Sequence, residues 1–474
     1  MNTVQRIVKN TAALFAAQFA VAILSLALAI VIARSLGDVI FGKYSFALAF
    51  TSIFAVFSDL GYNTLLIRDV ARDKSQASKY LSNVLLMRAF LFPIIFTSIV
   101  IVVNVLGYPA DTKNVVYLFG VYLLIMSFSD VFKVTFRVFE KMEYEASITI
   151  FAAMIRLSLG LLVLFMGYGL IELALVFILS GILDLLFCFV ICTRRFVKPK
   201  MEPDFGFWKS TMKVALPIGM LSIFGLIYTS VDTVMLSMMK GDAVVGWYNA
   251  AYNLVLGFKP ISHLFMNALF PLMAGYYTSS TDSLKIVYEK SFKYLFILGL
   301  PIAVGMTLLA DRFILLLYGQ QFHPSILALQ ILSWDVLLFF SYFCMAFVLV
   351  SLTKQNRMAA IAGCAALVNI ILNLVLIPPF SYVGAAIATI ITETLLIALF
   401  FSVISKSFYK LPIGKILIKP SIASLIMGVV IYQFMEFNLI LVIILAASLY
   451  CFVLYLTRAF SDDDVQLFKQ ILGR

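Results

Sequence analysis

Charge is what this sequence has least of. Of its 474 residues only 12% are Asp, Glu, Lys or Arg and 63% are hydrophobic, against about 25% charged and 45–50% apolar for a soluble chain. With a mean hydropathy of +1.05, no water-soluble surface can be assembled, so the chain belongs in a bilayer. The five cysteines (Cys188, Cys192, Cys344, Cys364, Cys451) all lie in apolar segments. Cys188 and Cys192 share a helix face at i,i+4, but no His or second Cys pair completes a ligand set, so no metal site is expected. There is no GxxxxGK[ST] loop to cradle a nucleotide and no HExxH, so the chain is not expected to hydrolyse ATP itself. The net charge of +11 is carried by basic residues scattered singly between apolar runs, without a basic stripe, which argues against nucleic acid.

Long apolar runs are what is present. A helical span needs about 20 mostly apolar residues. Fourteen such stretches occur, at approximately 11–33, 40–60, 82–106, 114–134, 146–166, 169–192, 213–238, 245–273, 290–310, 325–350, 357–377, 382–404, 416–435 and 438–457. The first run is too long for a signal-peptide core and is read as a span. Connections are short, and the longest, "RRFVKPKMEPDFGFWKSTMK", separates the sixth span from the seventh. When each Lys and Arg is assigned to the nearer span end, 27 fall with the two termini and the loops after even-numbered spans. Only 5 fall on the opposite side, and three lie within spans. That bias predicts cytoplasmic termini. The tail "SDDDVQLFKQILGR" reads as Ser461 capping a short amphipathic helix at the cytoplasmic surface.

Residues 36–50, "LGDVIFGKYSFALAF", and 240–254, "KGDAVVGWYNAAYNL", align without a gap at an offset of 204. They share Gly37/Gly241, Asp38/Asp242, Gly42/Gly246, Tyr44/Tyr248 and Ala47/Ala251. The offset covers six spans, an even number, so both copies face the same way and the repeat is parallel. The expected architecture is all-α and membrane-integral, with about fourteen transmembrane helices. Two parallel six-helix lobes (1–193 and 213–405) are joined by a cytoplasmic linker (194–212). An extra helix pair (406–457) and a cytoplasmic tail (458–474) follow. In each lobe the Gly-Asp motif falls in the extracytoplasmic turn between the first two helices, where Gly permits the bend and Asp can cap the next helix.

"RSLGDVIFGKYSFALAF" with "DLGYNTLLIRDVARD" and "YLSNVLLMR", then "ALPIGMLSIFGLIYTSVDTVMLS", "GWYNAAYNLV" and "ALFPLMA", resemble the signatures of polysaccharide-biosynthesis flippases. These are Wzx-like oligosaccharide flippases of the multidrug/oligosaccharidyl-lipid/polysaccharide exporter superfamily. The resemblance covers roughly residues 1–400. It implies two lobes around a cavity and, as cargo, a polyprenyl- or dolichyl-pyrophosphate-linked oligosaccharide moved from the cytoplasmic to the outer leaflet. Glycosyltransferases or a polymerase of the same pathway are then candidate partners, and the protein is expected to act as a monomer in the plasma membrane. The two spans beyond twelve resemble the lipid II flippase branch.

A charge near the bilayer centre costs about 2.5–3.5 kcal/mol on insertion scales and usually faces a cavity or a partner. Arg156 and Lys259 lie mid-span and are candidate cationic contacts for a pyrophosphate. Pairing with an intramembrane acid is the competing reading. Arg88 stands nearer the cytoplasmic edge, where it would snorkel to lipid phosphates or receive an entering head group; an Arg at this position is part of the family's pattern. Among the acids (Asp59, Asp130, Asp184, Asp232, Asp335, Glu393, and Glu172 at the outer edge), Asp232 in "YTSVDTVML" is the first candidate to line the cavity. Glu393, with Thr389, Asn369 and Asn373 at helical spacing, would hold Na⁺ or H⁺ or simply join two helices. His263 lies one turn from Lys259 on the same face, in the polar lining or in plain packing; His323 is expected to be solvated.

A flippase working by alternating access is the reading these residues favour, with no catalytic residue, no cofactor and no metal. A multidrug exporter of the same superfamily is the alternative, but it would favour an acidic cavity. A glycan polymerase or glycosyltransferase would concentrate acids and bases on a long outer loop. The longest outer connection, about 311–324, offers only Asp311, Arg312 and His323. Energy would come from an ion gradient, the membrane potential or removal of product outside.

Overall fold

The computed structural model describes residues 3–200 and 202–460, so the amphipathic tail expected from Ser461 lies outside the described residues. The described chain is helical without a strand. In order its α-helices are α1 (Thr3–Ala55), α2 (Tyr62–Arg72), α3 (Ala77–Val105), α4 (Ala110–Val138), α5 (Met142–Phe165), α6 (Leu170–Arg195), α7 (Phe205–Lys240), α8 (Asp242–Leu256), α9 (Lys259–Ser279), α10 (Thr281–Leu308), α11 (Ala310–Leu317), α12 (Ser325–Ser351), α13 (Gln355–Ser407), α14 (Ile413–Gln433) and α15 (Leu439–Leu456).

Eleven of these stretches are long and apolar enough to cross a membrane. Two of them, α1 and α13, run 53 residues each, about twice what a bilayer requires. Each is a pair of spans joined at a non-helical residue, Gly37 (φ 82, ψ 176) and Ser381 (φ 53, ψ −135). Once both are counted double, and α8 with α9 is counted as one interrupted span, all fourteen expected spans are accounted for. The interruption corrects the sequence reading, which took 245–273 as continuous. Helix α8 ends at Leu256 and α9 restarts at Lys259, with Pro260 in its first turn. A proline there sacrifices no intrahelical hydrogen bond.

Gly37 and Gly241 occupy equivalent positions of the repeated segment, and they adopt the same backbone conformation; Gly241, which closes α7, has φ 88 and ψ 179. That region of φ/ψ space is essentially confined to glycine. The repeat is therefore conserved in backbone geometry as well as in letters.

The chain packs as two compact units, residues up to 250 with 362–385, and 251–361 with the chain from 386 on. In the first, α4 packs against α1, α3 and α6, and α1 also against α5 and α7. The short α2 buries Tyr62, Leu65, Leu66 and Val70, one amphipathic stripe. The linker before α7 is pinned to α3: Asn83 Oδ1 accepts from Asp204 N and Trp208 Nε1, both at 2.9 Å. Asp204 caps α7 by accepting from Phe207 N at 2.8 Å, and the hydrogen bond from Lys79 holds its carboxyl below the usual range.

In the second unit α10 packs against α9, α12 and α14. Arg312 of α11 donates to the Met435 and Phe437 carbonyls between α14 and α15. Pro301 inside α10 has no N–H for the Ile297 carbonyl, and Tyr450 of α15 fills the gap, its hydroxyl donating to Ile297 O at 2.8 Å. Leaving a buried acceptor unpaired costs about 1–3 kcal/mol. Tyr450→Phe should therefore lower the melting temperature in detergent, and the loss should vanish in a Pro301→Ala background, where the restored amide serves Ile297.

Candidate functional site

Arg88, Lys133, Lys259 and Arg156 lie within the membrane-spanning helices, and their partners separate them. Arg88 of α3 is 1% exposed. Its guanidinium donates to Asp59 Oδ1 at 2.8 Å, to Asn63 Oδ1 at 2.9 Å and to the Ser127 carbonyl. Asp59 also accepts from the Asn63 amide, in the first turn of α2. Arg88 thus ties the α1–α2 junction to α4 and is turned inward, away from lipid phosphates.

Lys133 of α4 lies 2.8 Å from Asp184 of α6, with side chains 6% and 1% exposed, and Ser129 also donates to Asp184. The sequence reading counted Lys133 with the cytoplasmic loop. Helix α4 continues to Val138, which places Lys133 more than a turn inside. The apolar residues Val134, Phe136 and Val138 were the available signal.

Lys259 begins α9 and lies 3.2 Å from Asp335 Oδ2 of α12, a wholly buried carboxylate. The ammonium also stands 4.4 Å from the Phe339 ring centre and 5.5 Å from that of Tyr252. A cation at a helix N-terminus opposes the helix dipole, which makes the Asp335 carboxylate the more necessary. Glu393, wholly buried, is a second carboxyl in these surroundings. His263 packs between rings, with centres 4.1 Å from Phe343 and 5.7 Å from Phe339; it shares the Phe339 ring with Lys259.

Arg156 of α5 differs from the other three. It donates to Tyr122 Oη at 2.6 Å and lies over the Tyr122 and Phe177 rings at 5.8 and 5.4 Å. Among the described residues no carboxylate comes within ion-pair distance of it. It opens onto a cavity of about 270 Å³ bounded by Ser25, Leu28, Tyr44, Tyr122 and Phe177. With one donor spent on a neutral hydroxyl, the guanidinium leaves most of its donors for whatever enters.

Asp232 of α7 is buried. Its Oδ2 accepts from Tyr248 at 3.0 Å, and its Oδ1 from Asn373 Nδ2 at 2.5 Å; the same amide donates to Asn369 Oδ1 at 3.1 Å. Asn373, which the sequence grouped with Glu393, thus turns to Asp232, and Asn369 holds the same amide from the adjacent turn. Among the described residues no group of three His, Cys, Asp or Glu side chains converges in the manner of a metal site.

Residues 7–276 match the family model described as polysaccharide biosynthesis protein, and residues 217–375 match the one described as MatE. The capsular polysaccharide biosynthesis protein CapF of Staphylococcus aureus is 24% identical over 403 residues, covering 81% of this chain and 96% of the relative. The probable flippase AglR of Haloferax volcanii is 25% identical over 345 residues, 70% of each chain. Among solved structures, the lipid II flippase MurJ in an inward closed conformation superposes with a TM-score of 0.78 at 17% identity, over 97% of this chain and 100% of that one. An inward-facing multidrug-resistance MATE transporter gives 0.69 at 16% identity, over 81% and 95%. At such identities the two structures speak for the fold.

Removing one partner of a buried ion pair costs about 3–5 kcal/mol, whereas replacing both by apolar groups of similar volume is often neutral. Asp184→Ala should accordingly depress the melting temperature strongly, and Lys133→Met with Asp184→Leu should recover most of the loss.

Proposed function

Because the chain belongs to the polysaccharide biosynthesis protein family, we propose that it is a flippase. Its cargo is a polyprenyl- or dolichyl-pyrophosphate-linked oligosaccharide, carried from the cytoplasmic to the outer leaflet by alternating access for surface glycan assembly. The observation that carries the cargo chemistry is Arg156, an intramembrane cation held by aromatic faces and a tyrosine hydroxyl and open to a cavity. An uncompensated charge in a low-dielectric site is costly, and a pyrophosphate supplies the missing counter-charge with geometry that suits a guanidinium fork. Lys259 is the second cationic contact: the incoming anion competes with Asp335 for its ammonium. Arg88, already committed to Asp59, we assign to the framework.

The basic-residue bias supports cytoplasmic termini in a plasma-membrane protein. Two parallel six-helix lobes, 1–193 and 213–405, with the linker 194–212 and the helix pair 406–457, accord with the matching glycine conformations at 37 and 241. A monomer working beside glycosyltransferases or a polymerase completes this reading. Coupling to Na⁺ or H⁺ falls to Asp232, whose carboxylate is held by the Tyr248 hydroxyl and the Asn373 amide.

The MatE match favours one second reading, export of drugs. In proteoliposomes, leaflet exchange of a lipid-linked oligosaccharide that is insensitive to cationic drugs supports flipping. Drug transport without lipid exchange supports export instead.

A charge-assisted hydrogen bond is worth about 1.5–3 kcal/mol, so Arg156→Ala should slow exchange by about 10- to 100-fold, with Arg156→Lys between it and the parent. For Lys259 the control is the pair: if the lysine contacts cargo, Lys259→Ala with Asp335→Ala stays slow, whereas a purely structural lysine would let the double variant recover. Asp232→Asn should flip at one rate whether or not an ion gradient is applied.

A further inference from the structure

The two copies of the repeated segment touch each other. A Cβ built on Gly42 would stand 1.8 Å from the Asp242 carbonyl oxygen, and one on Gly246 would stand 2.2 Å from the Asp38 carbonyl oxygen. Each copy's second glycine thus receives the backbone of the other copy's Gly-Asp pair. The contact is reciprocal, as in a two-fold interface between identical subunits. Trp247 Nε1 donates to Asp38 Oδ2 at 2.8 Å, and Tyr108 donates to Ser237 Oγ at 3.0 Å.

The far ends of the same helices repeat the arrangement. A Cβ on Gly61 would stand 2.3 Å from the Ala215 carbonyl oxygen, and one on Gly219 would stand 2.5 Å from the Leu60 carbonyl carbon. Midway between these closures the two helices meet through hydroxyls, Ser52 Oγ and Ser230 Oγ at 3.2 Å. The second part of α1 and the Leu60–Gly61 turn that follows it therefore meet α7 and α8 backbone to backbone at two separate closures, and at each only glycine allows the approach.

We propose that Gly42 with Gly246, and Gly61 with Gly219, are the outer and inner gates of the transport cycle. A gate must close tightly and open at little cost. Backbone-to-glycine contact meets both demands, because dispersion between atoms in contact is summed over many weak pairs and decays within an ångström or so of separation. Parting such surfaces strands few buried hydrogen-bonding groups; at the outer gate the Trp247 and Tyr108 bonds exchange partners with water. A methyl group at any of these glycines obstructs closure at its own end and leaves the other end free to close. Substitutions at the two ends then bias the protein in opposite directions.

This rests on the transport reading, with the Gly-Asp end outside. The test uses Ser230→Cys in a background without the native cysteines, labelled by a membrane-impermeant maleimide applied from either side of oriented vesicles. Since an overlap under 3 Å must be relieved by shifting the open–closed population, Gly246→Ala should speed labelling from outside by about tenfold. Gly219→Ala should do the same from the cytoplasmic side. Trp247→Phe loosens the outer closure without adding volume and should act in the same direction as Gly246→Ala, more weakly. It keeps the test decisive if an alanine variant fails to fold. Equal labelling from both sides in all variants, or acceleration from the wrong side, overturns the assignment. The readout needs no cargo, so a protein that gates as described yet exchanges no lipid-linked oligosaccharide would sink the cargo reading and leave the gates standing.

Discussion

Inside a bilayer no water arrives to satisfy a polar group, and this structure is organised by that shortage. Every backbone amide and carbonyl must find its partner within the protein, which makes the segments helices and makes each break in a helix conspicuous. The proline at 301 leaves a carbonyl that a tyrosine from another helix repairs. The same demand falls on charges. Arg88, Lys133 and Lys259 each have a carboxylate within 3.2 Å or less. Arg156 has aromatic faces and one hydroxyl instead. Against that background its lack of a counter-ion is the exception, and buried exceptions tend to mark function.

How much of this was legible beforehand depended on whether a feature is periodic or relational. Spans are periodic: twenty apolar residues announce themselves, and the alternation of basic ends corroborates their number. The repeat was legible because its letters recur at a fixed offset. Helix interruption was half legible, since Gly257 and Pro260 both signal a break, yet the apolar run through 245–273 outweighed them. Partnerships were not legible at all. Nothing in the neighbourhood of Lys133 names Asp184, 51 residues away, and nothing near Lys259 names Asp335. The same residue types in the same apolar contexts fit a ligand site and a structural pair equally well, and only the packing of α4 on α6, or α9 on α12, separates the two.

The division between paired and unpaired cations also shapes how the Lys259 region works. Lys259 is held by one carboxylate and two rings, and none of these contacts buries it completely; its side chain is 12% exposed while Asp335 is 0%. The acid is sealed and the base is the accessible partner. Under the flippase reading proposed above, an anion would meet the lysine first, with Asp335 competing for it. Lys133, at 6% exposed against 1% for Asp184, offers an incoming ligand far less. Similar pairs in one chain thus differ in accessibility.

Duplication has been retained unevenly, and the pattern follows from what each part must do. Gly37/Gly241 and Gly42/Gly246 recur at the offset, and the first pair keeps a common backbone conformation, because a contact formed by two like segments is closed by the same geometry on either side of the axis. The charges do not recur. At the offset of 204, Arg156 corresponds to Ala360, Lys259 to Ala55 and Asp232 to Leu28. A cargo with one charged end and one neutral end has no use for two equivalent cationic sites, and each further intramembrane charge would add its insertion cost. Symmetry is expected where the halves must move against one another, and asymmetry where a polar, directional molecule must be held between steps. Under the proposed reading, the repeated Gly-Asp segment belongs to the first category and Arg156 to the second.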